Sequence, residues 1–303
     1  MKKFLIFFLM MFLSGLSNIY AKPDQKKPVQ NQSDTLTIIK NIFFAKTPEK
    51  DLYLDLYLPA SLKSLSIVVW IHGGAWRGGS KNRTPAYPLL TDNGYAVASI
   101  TYRLSQDAIF PAQIFDCKAA IRWLRANAKQ YNLNPEKIGV WGSSAGGHLV
   151  ALLGTSGAVQ ELEGGVGVTG YSSRVQAVCD WFGPTDFLQM DSHALPESSM
   201  KHNTSDSPES QLVGGPIQEN KGKVEKANPI TYISEDDPPF LIMHGEKDKK
   251  VSIHQSKLLV NALQEKGVKV TFHPIPAAGH GVQGLNTPDN KKKIIEFFDK
   301  YIK

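Results

Sequence analysis

The segments Ile67–Ile71 (IVVWI) and Tyr95–Ile100 (YAVASI) are apolar runs without charge and without a polar–apolar alternation. Strands of this kind are buried on both faces, as happens when helices cover a parallel sheet from either side. Short strand-like segments recur at Lys137–Trp141, Val175–Trp181, Phe240–His244 and Val268–Ile275. Helical patterns lie between them. Pro111 opens an amphipathic helix to about Gln130, with Ile114, Ala120, Ile121 and Leu124 toward the core. Proline suits that first position because its missing N–H would have no partner there. Further helices are predicted over Ala145–Gly154, Ile253–Lys266 and Lys291–Ile302. Two strands precede this alternation, Thr35–Phe44 and Leu52–Leu58. The second sets Leu52, Leu54, Leu56 and Leu58 against Tyr53, Asp55 and Tyr57, which predicts an antiparallel strand with one solvated face. The whole pattern predicts one α/β domain over residues 35–303, with a mostly parallel, eight-stranded sheet and helices on both faces.

The composition agrees with a single sizeable core, since 42% of the 303 residues are hydrophobic. Two cysteines exclude a disulfide-dense scaffold and a Cys-rich zinc site. An oxidising compartment would permit a Cys117–Cys179 bridge, but Cys117 falls in a helical pattern and Cys179 in an apolar strand, so both read as buried thiols. The net charge of +6 falls to +4 once Lys2 and Lys3 are set aside. The charges are scattered, with no basic face interleaved with aromatics, which speaks against a nucleic-acid partner. Residues 1–21 have the layout of a signal peptide: Lys2 and Lys3, the apolar run Phe4–Leu13, small residues, and a cut expected after Ala21. That run is short for a membrane span. No cysteine precedes Cys117, so a lipoprotein anchor is excluded. A secreted or periplasmic protein without stable membrane insertion is expected. Residues 22–34 are polar and read as a flexible leader. Residues 187–228, rich in Ser, Gly, Asn and charge, read as a lid or cap inserted over the strand ends. The stretch Gly164–Gly170 lacks the Lys of a phosphate-binding loop and reads as a plain loop.

Gly142-Ser143-Ser144-Ala145-Gly146 follows one predicted strand and opens a small-residue helix. A serine at the centre of such a sharp turn is presented as a nucleophile, and flanking glycines let strand and helix approach. The register puts Ser144, not Ser143, at the centre. His72-Gly73-Gly74-Ala75-Trp76 follows the strand Ile67–Ile71. Amides in such a loop can stabilise the negative charge that acyl transfer places on a carbonyl oxygen. Gly74, Ala75 and Ala145 are the candidate donors. Trp76 either lines the acyl pocket or packs beneath the loop.

A serine nucleophile needs a base, and the base an orienting acid. His280, just past the last strand, and Asp248, just past the strand before it, fit those roles in the chain order expected for this architecture. Among the other histidines, His273 lies within a strand, His254 in a helix, His244 at a strand end and His148 in the helix behind Ser144. His193 and His202 fall in the insertion, where a substrate contact is conceivable. Asp180 and Asp186, on either side of Gly183-Pro184, are the rival acids.

Taken together, the stretches 51–59, 72–81 (HGGAWRGGSK), 102–105 (YRLS), 110–128, 142–154 (GSSAGGHLVALLG), 182–186, 238–248 (PPFLIMHGEKD) and 277–281 (AAGHG) resemble the α/β-hydrolase esterases. Within them the chain is similar to the bacterial feruloyl and acetyl-xylan esterase-like branch, related to hormone-sensitive-lipase-type esterases. The resemblance runs from about Asp51 to Lys303. It implies Ser144 as nucleophile, His280 as base and Asp248 as its acid, with no metal and no organic cofactor. It also implies that Tyr102, Arg103 and Asp116 are structural ties. Ala75 stands where the HGGG form has its third glycine. The activity implied is a carboxylic-ester hydrolase working through an acyl-enzyme on a small or polysaccharide ester, with acetyl or feruloyl groups of plant polysaccharide as the expected target. A general short-chain carboxylesterase and a kynurenine formamidase-like arylformamide hydrolase, whose HGGAW form is the same, stay open beside it. A prolyl-oligopeptidase-type peptidase would need a further domain, and a lipase a more apolar lid. An inactive hydrolase fold serving as a binding module is the non-enzyme alternative. The sequence leaves the oligomeric state open.

Overall fold

The computed structural model describes residues 36–303 apart from Pro85, Val282, Gln283 and Leu285. The expected signal peptide at 1–21 and leader at 22–34 lie outside the described residues. The sheet has eight strands: β1 (Thr37–Lys46), β2 (Asp51–Leu58), β3 (Leu65–Ile71), β4 (Ala96–Ile100), β5 (Leu133–Ser143), β6 (Ala177–Trp181), β7 (Phe240–Gly245) and β8 (Val270–Ile275). They lie in the order β1-β2-β4-β3-β5-β6-β7-β8. The β1–β2 and β2–β4 pairs are antiparallel, and every pair from β4 onward is parallel. This is the α/β-hydrolase fold, with a mostly parallel sheet as the unbroken apolar runs require. β3, β4 and β6 are buried almost throughout.

The helices are α1 (Ala86–Thr91), α2 (Ala112–Ala126), α3 (Ala145–Thr155), α4 (Pro208–Val213), α5 (Lys221–Ala227), α6 (His254–Glu265) and α7 (Pro288–Ile302). Two apolar clusters fill the spaces on the sheet's faces. One gathers Ile114, Ile121, Leu149 and Leu259, and the other Trp70, Trp141, Trp181 and Phe298. Cys117 and Cys179 are buried free thiols.

One expectation needs correction. The second face of β2 is not solvated: Asp55 and Tyr57 are buried along with the leucines. Lys81 reaches Asp55 at 2.6 Å, and Tyr87 of α1 stacks on Tyr57 with ring centroids 4.4 Å apart. A carboxylate in an alternating strand reads as solvent-facing until a distant cation covers it. The insertion between β6 and β7 contains a short 3₁₀ turn at Phe187–Gln189 and the helices α4 and α5. No helix among the described residues is long and apolar enough to cross a membrane.

Candidate active site

The turn from β5 into α3 puts Ser144 at φ 54°, ψ −121°. A non-glycine residue reaches such backbone only where its surroundings enforce it. Here the Ser144 amide donates to the Trp181 carbonyl of β6 at 2.8 Å. Close approach does the rest: a Cβ on Gly146 would stand 2.1 Å from the Ile71 carbonyl oxygen, and one on Gly142 2.3 Å from that of Gly146. The glycines of the motif therefore let α3 start against the end of β3.

His280 and Asp248 project from the loops after β8 and β7. Nε2 of His280 lies 3.0 Å from Ser144 Oγ, and Nδ1 lies 2.7 Å from Asp248 Oδ2. A carboxylate only accepts, so Nδ1 carries the proton and Nε2 is free to accept from the serine hydroxyl. Phe182, at φ 44°, sets its ring edge-on to His280 at 4.8 Å.

Asp248 is 1% exposed. Its Oδ1 accepts from the amides of Lys250 and Val251, each at 2.9 Å. Burial acts to raise its pKa, but hydrogen bonds from His244 and His280 outweigh that and hold the carboxyl well below the usual range. His244 lies beneath it. Its Nε2 faces the Val251 carbonyl at 2.8 Å and Asp248 Oδ2 at 3.3 Å. Because both are acceptors, that nitrogen bears the proton, and Nδ1 accepts from Ser256 at 2.7 Å.

The HGGAW loop is clamped from the side. Tyr102 stacks on His72 at 4.4 Å and donates to its carbonyl at 2.9 Å, while the Ser105 amide donates to the Trp76 carbonyl at 2.8 Å. Arg103 is held in turn by a forked pairing with buried Asp116. The amides of Gly74 and Ala75 donate to no backbone carbonyl among the described residues. Ala145 is the first residue of α3, where an amide has no intrahelical partner. Ala75 and Ala145 line a cavity of about 60 Å³ beside Ser144 and His280, whereas Gly74 is not among its lining residues. Trp76 meets both of its expected descriptions: it lines the cavity and packs edge-on against His148 and Phe187.

The insertion lines this cavity with Met200, His202, Pro208 and Glu209. His202 Nδ1 lies 3.0 Å from Glu209 Oε2. Burial works to lower the His202 pKa, yet the Glu209 carboxylate outweighs it and raises it. The remaining candidates lie elsewhere. His273 bonds Asn290, His193 stacks on His254, and His148 is buried with Nε2 on the Ala227 carbonyl at 2.7 Å. Asp180 is bonded to the Gly183 amide, and Asp186 caps the 3₁₀ turn. Neither rival acid is hydrogen-bonded to His280 among the described residues. A larger cleft of about 390 Å³ around Arg122, Glu163 and Tyr171 contains none of the Ser144 constellation. Among the described residues no cluster of three or more His, Cys, Asp or Glu is disposed to hold a metal ion.

Sequence reasoning missed Phe182, His244 as the support of Asp248, and Glu209. Ser207-Pro208 was the available signal for Glu209, because Ser at an N-cap followed by Pro marks a helix start.

The chain resembles esterases in both sequence and shape. It is 33% identical over 219 residues to esterase LipQ of Mycobacterium tuberculosis, covering 71% of this chain and 49% of LipQ. It thus spans about half the length of the curated relatives it matches. Among solved structures it superposes on a truncated carbohydrate esterase from gut microbiota with a TM-score of 0.80 and 35% identity, covering 88% of this chain and 97% of that one. It superposes on a bifunctional GH43-CE of Bacteroides eggerthii with a TM-score of 0.78 and 38% identity, over 87% of this chain and 35% of that one. The BD-FAE family profile matches residues 54–263. With that match spanning most of a domain built on the strand–serine–helix turn, the chain belongs to the BD-FAE family of α/β-hydrolase esterases.

Proposed function

We propose that this chain is an exported serine esterase that removes acetyl groups from hydroxylated, carbohydrate-type alcohols. The hydrogen-bonded series Ser144–His280–Asp248, ending in a small cavity, carries the reading. Ser144 Oγ attacks the ester carbonyl as its proton passes to Nε2 of His280. Asp248 stabilises the imidazolium through Nδ1. The oxyanion is received by the amides of Gly74, Ala75 and Ala145, the last at the positive end of α3. His280 then protonates the departing alcohol, and water hydrolyses the acyl-enzyme by the same steps.

The size of the cavity favours acetyl over feruloyl. At about 60 Å³ it is far smaller than the roughly 300–1,000 Å³ of pockets that take drug-sized ligands. A two-carbon acyl group suits such a space better than a phenylpropenoyl group does. The carbohydrate esterase among the structural relatives supports the choice of alcohol. Export rests on the charged and apolar layout of residues 1–21.

The test is chromatography of acids released from acetylated and feruloylated arabinoxylan oligosaccharides, with Ser144→Ala as the blank. Acetate released by the wild type alone is the expected result. Ferulate without acetate would overturn the acyl assignment. Equal release by Ser144→Ala would remove Ser144 from the nucleophile role.

A further inference from the structure

The insertion brings a second histidine–carboxylate pair to the cavity that holds Ser144. His202 and Glu209 are 2% and 3% exposed, and both line that cavity. The pair is firmly built. The His202 amide donates to Asp191 Oδ1 at 2.8 Å, and its carbonyl accepts from the hydroxyls of Ser207 and Ser210. The neighbours on this side are Met200, Pro208, Lys250 and Val251, of which only Lys250 carries a polar side chain.

Burying such a pair contributes little stability, because desolvation offsets most of the attraction. The proposed reaction does not use it either, since His280 and Asp248 already serve as base and acid. What the pair does give the cavity is an acceptor. Glu209 is the only carboxylate among the described residues lining it. Its Oε2 is taken by His202, while Oε1 accepts no hydrogen bond among the described residues. An acetyl methyl group has nothing to donate to that oxygen. The alcohol half of the ester does, if it carries a free hydroxyl.

We propose that Glu209, oriented by His202, accepts a hydrogen bond from a free hydroxyl neighbouring the ester oxygen of the leaving alcohol, and so selects esters of polyols over esters of simple alkanols. The proposal rests on the reading of Ser144 as the nucleophile. A hydroxyl bonded to a charged group changes the competition between otherwise similar substrates by about 10- to 100-fold.

The decisive comparison uses glycerol 1-acetate and propyl acetate, which share the acyl group and the length of the alcohol. The wild type is expected to favour the glycerol ester in kcat/KM by about tenfold or more. Glu209→Ala and Glu209→Gln are each expected to bring the ratio toward one, and His202→Gln to lower it partway. Because the ratio is taken on one preparation, a variant that folds in low yield still reports. A wild-type ratio near one, or a ratio unmoved by both Glu209 variants, overturns the proposal while leaving ester hydrolysis intact. Failure of the wild type to cleave either ester, with Ser144→Ala indistinguishable from it, overturns the underlying reading as well.

Discussion

His280–Asp248 and His202–Glu209 pair the same chemical groups at one cavity, yet their surroundings differ. Asp248 is saturated: two amides occupy Oδ1, while His280 and His244 converge on Oδ2. Glu209 is bonded to His202 through Oε2. The imidazole of His280 is 16% exposed and reaches Ser144, while that of His202 is 2% exposed and anchored in the insertion. A saturated carboxylate can only orient its partner. A half-bonded one keeps a lone pair for a ligand. The two pairs thus divide into one suited to proton transfer and one suited to recognition.

Alanine at each histidine is the coarsest attempt to erase this division. His280→Ala is expected to lower kcat on p-nitrophenyl acetate by about 10⁴- to 10⁶-fold. His202→Ala is expected to lower it by about tenfold through loosened packing of the insertion. Equal losses in stopped-flow and steady-state assays would place both pairs in the chemistry.

Asp248→Asn is expected to cost about 10⁴-fold in kcat, because the amide leaves His280 in the wrong tautomer. The matching change Glu209→Gln alters no tautomer at the reacting serine, so its effect on the same substrate should stay within about tenfold. A loss in Glu209→Gln as large as that in Asp248→Asn, measured as kcat across a pH series, would end the contrast.

His244 sharpens the comparison from beneath. His244→Phe keeps an aromatic ring but removes the donor to Asp248. It is expected to lower kcat by up to about 10²-fold with little change in KM. A change confined to KM would place His244 outside the support of Asp248.

The smallest effect concerns stability against pH. Burial pushes His148 down to about 4, against the opposing bond to Ala227. The unfolded chain binds that proton more readily, so this contribution is present above the ordinary value of 6.5 and lost as pH falls toward 4. His202 is raised by Glu209, so its contribution has the opposite sign: it is present below the ordinary 6.5 and lost as pH rises through the folded value. Limited proteolysis within 187–228 should therefore accelerate at alkaline pH in the wild type, and the acceleration should vanish in His202→Gln. Thermal unfolding of His148→Gln should lose the acid-side decline. An unchanged pH profile in either variant would detach that histidine from the effect.

Legibility followed the same division. Strands of a parallel sheet are unbroken apolar runs, so β3, β4 and β7 were readable within a few residues. The serine turn, His280 and Asp248 carry local signals, because each follows a strand and has glycine within three residues. The buried Asp55 was misread because its cover, Lys81, comes from a loop beyond the next strand. His202 drew notice only as a possible contact. Its partner sits in a polar segment without periodicity, where only the folded path of the chain brings cavity and carboxylate together. His244 read only as a residue at a strand end, and its bond to Asp248 depends on the curl of the loop after β7. Chemistry tied to a strand end is visible in one dimension, and chemistry tied to an insertion is not.

The chain order of the three groups also matters during synthesis. Ser144 is made with β5, Asp248 only after β7 and His280 only after β8. Those last strands are also the far edge of the sheet, added beyond β6. A growing polypeptide therefore contains its serine long before the histidine proposed as its base is made. In the proposed mechanism, a chain broken off anywhere before residue 280 carries the serine without its base.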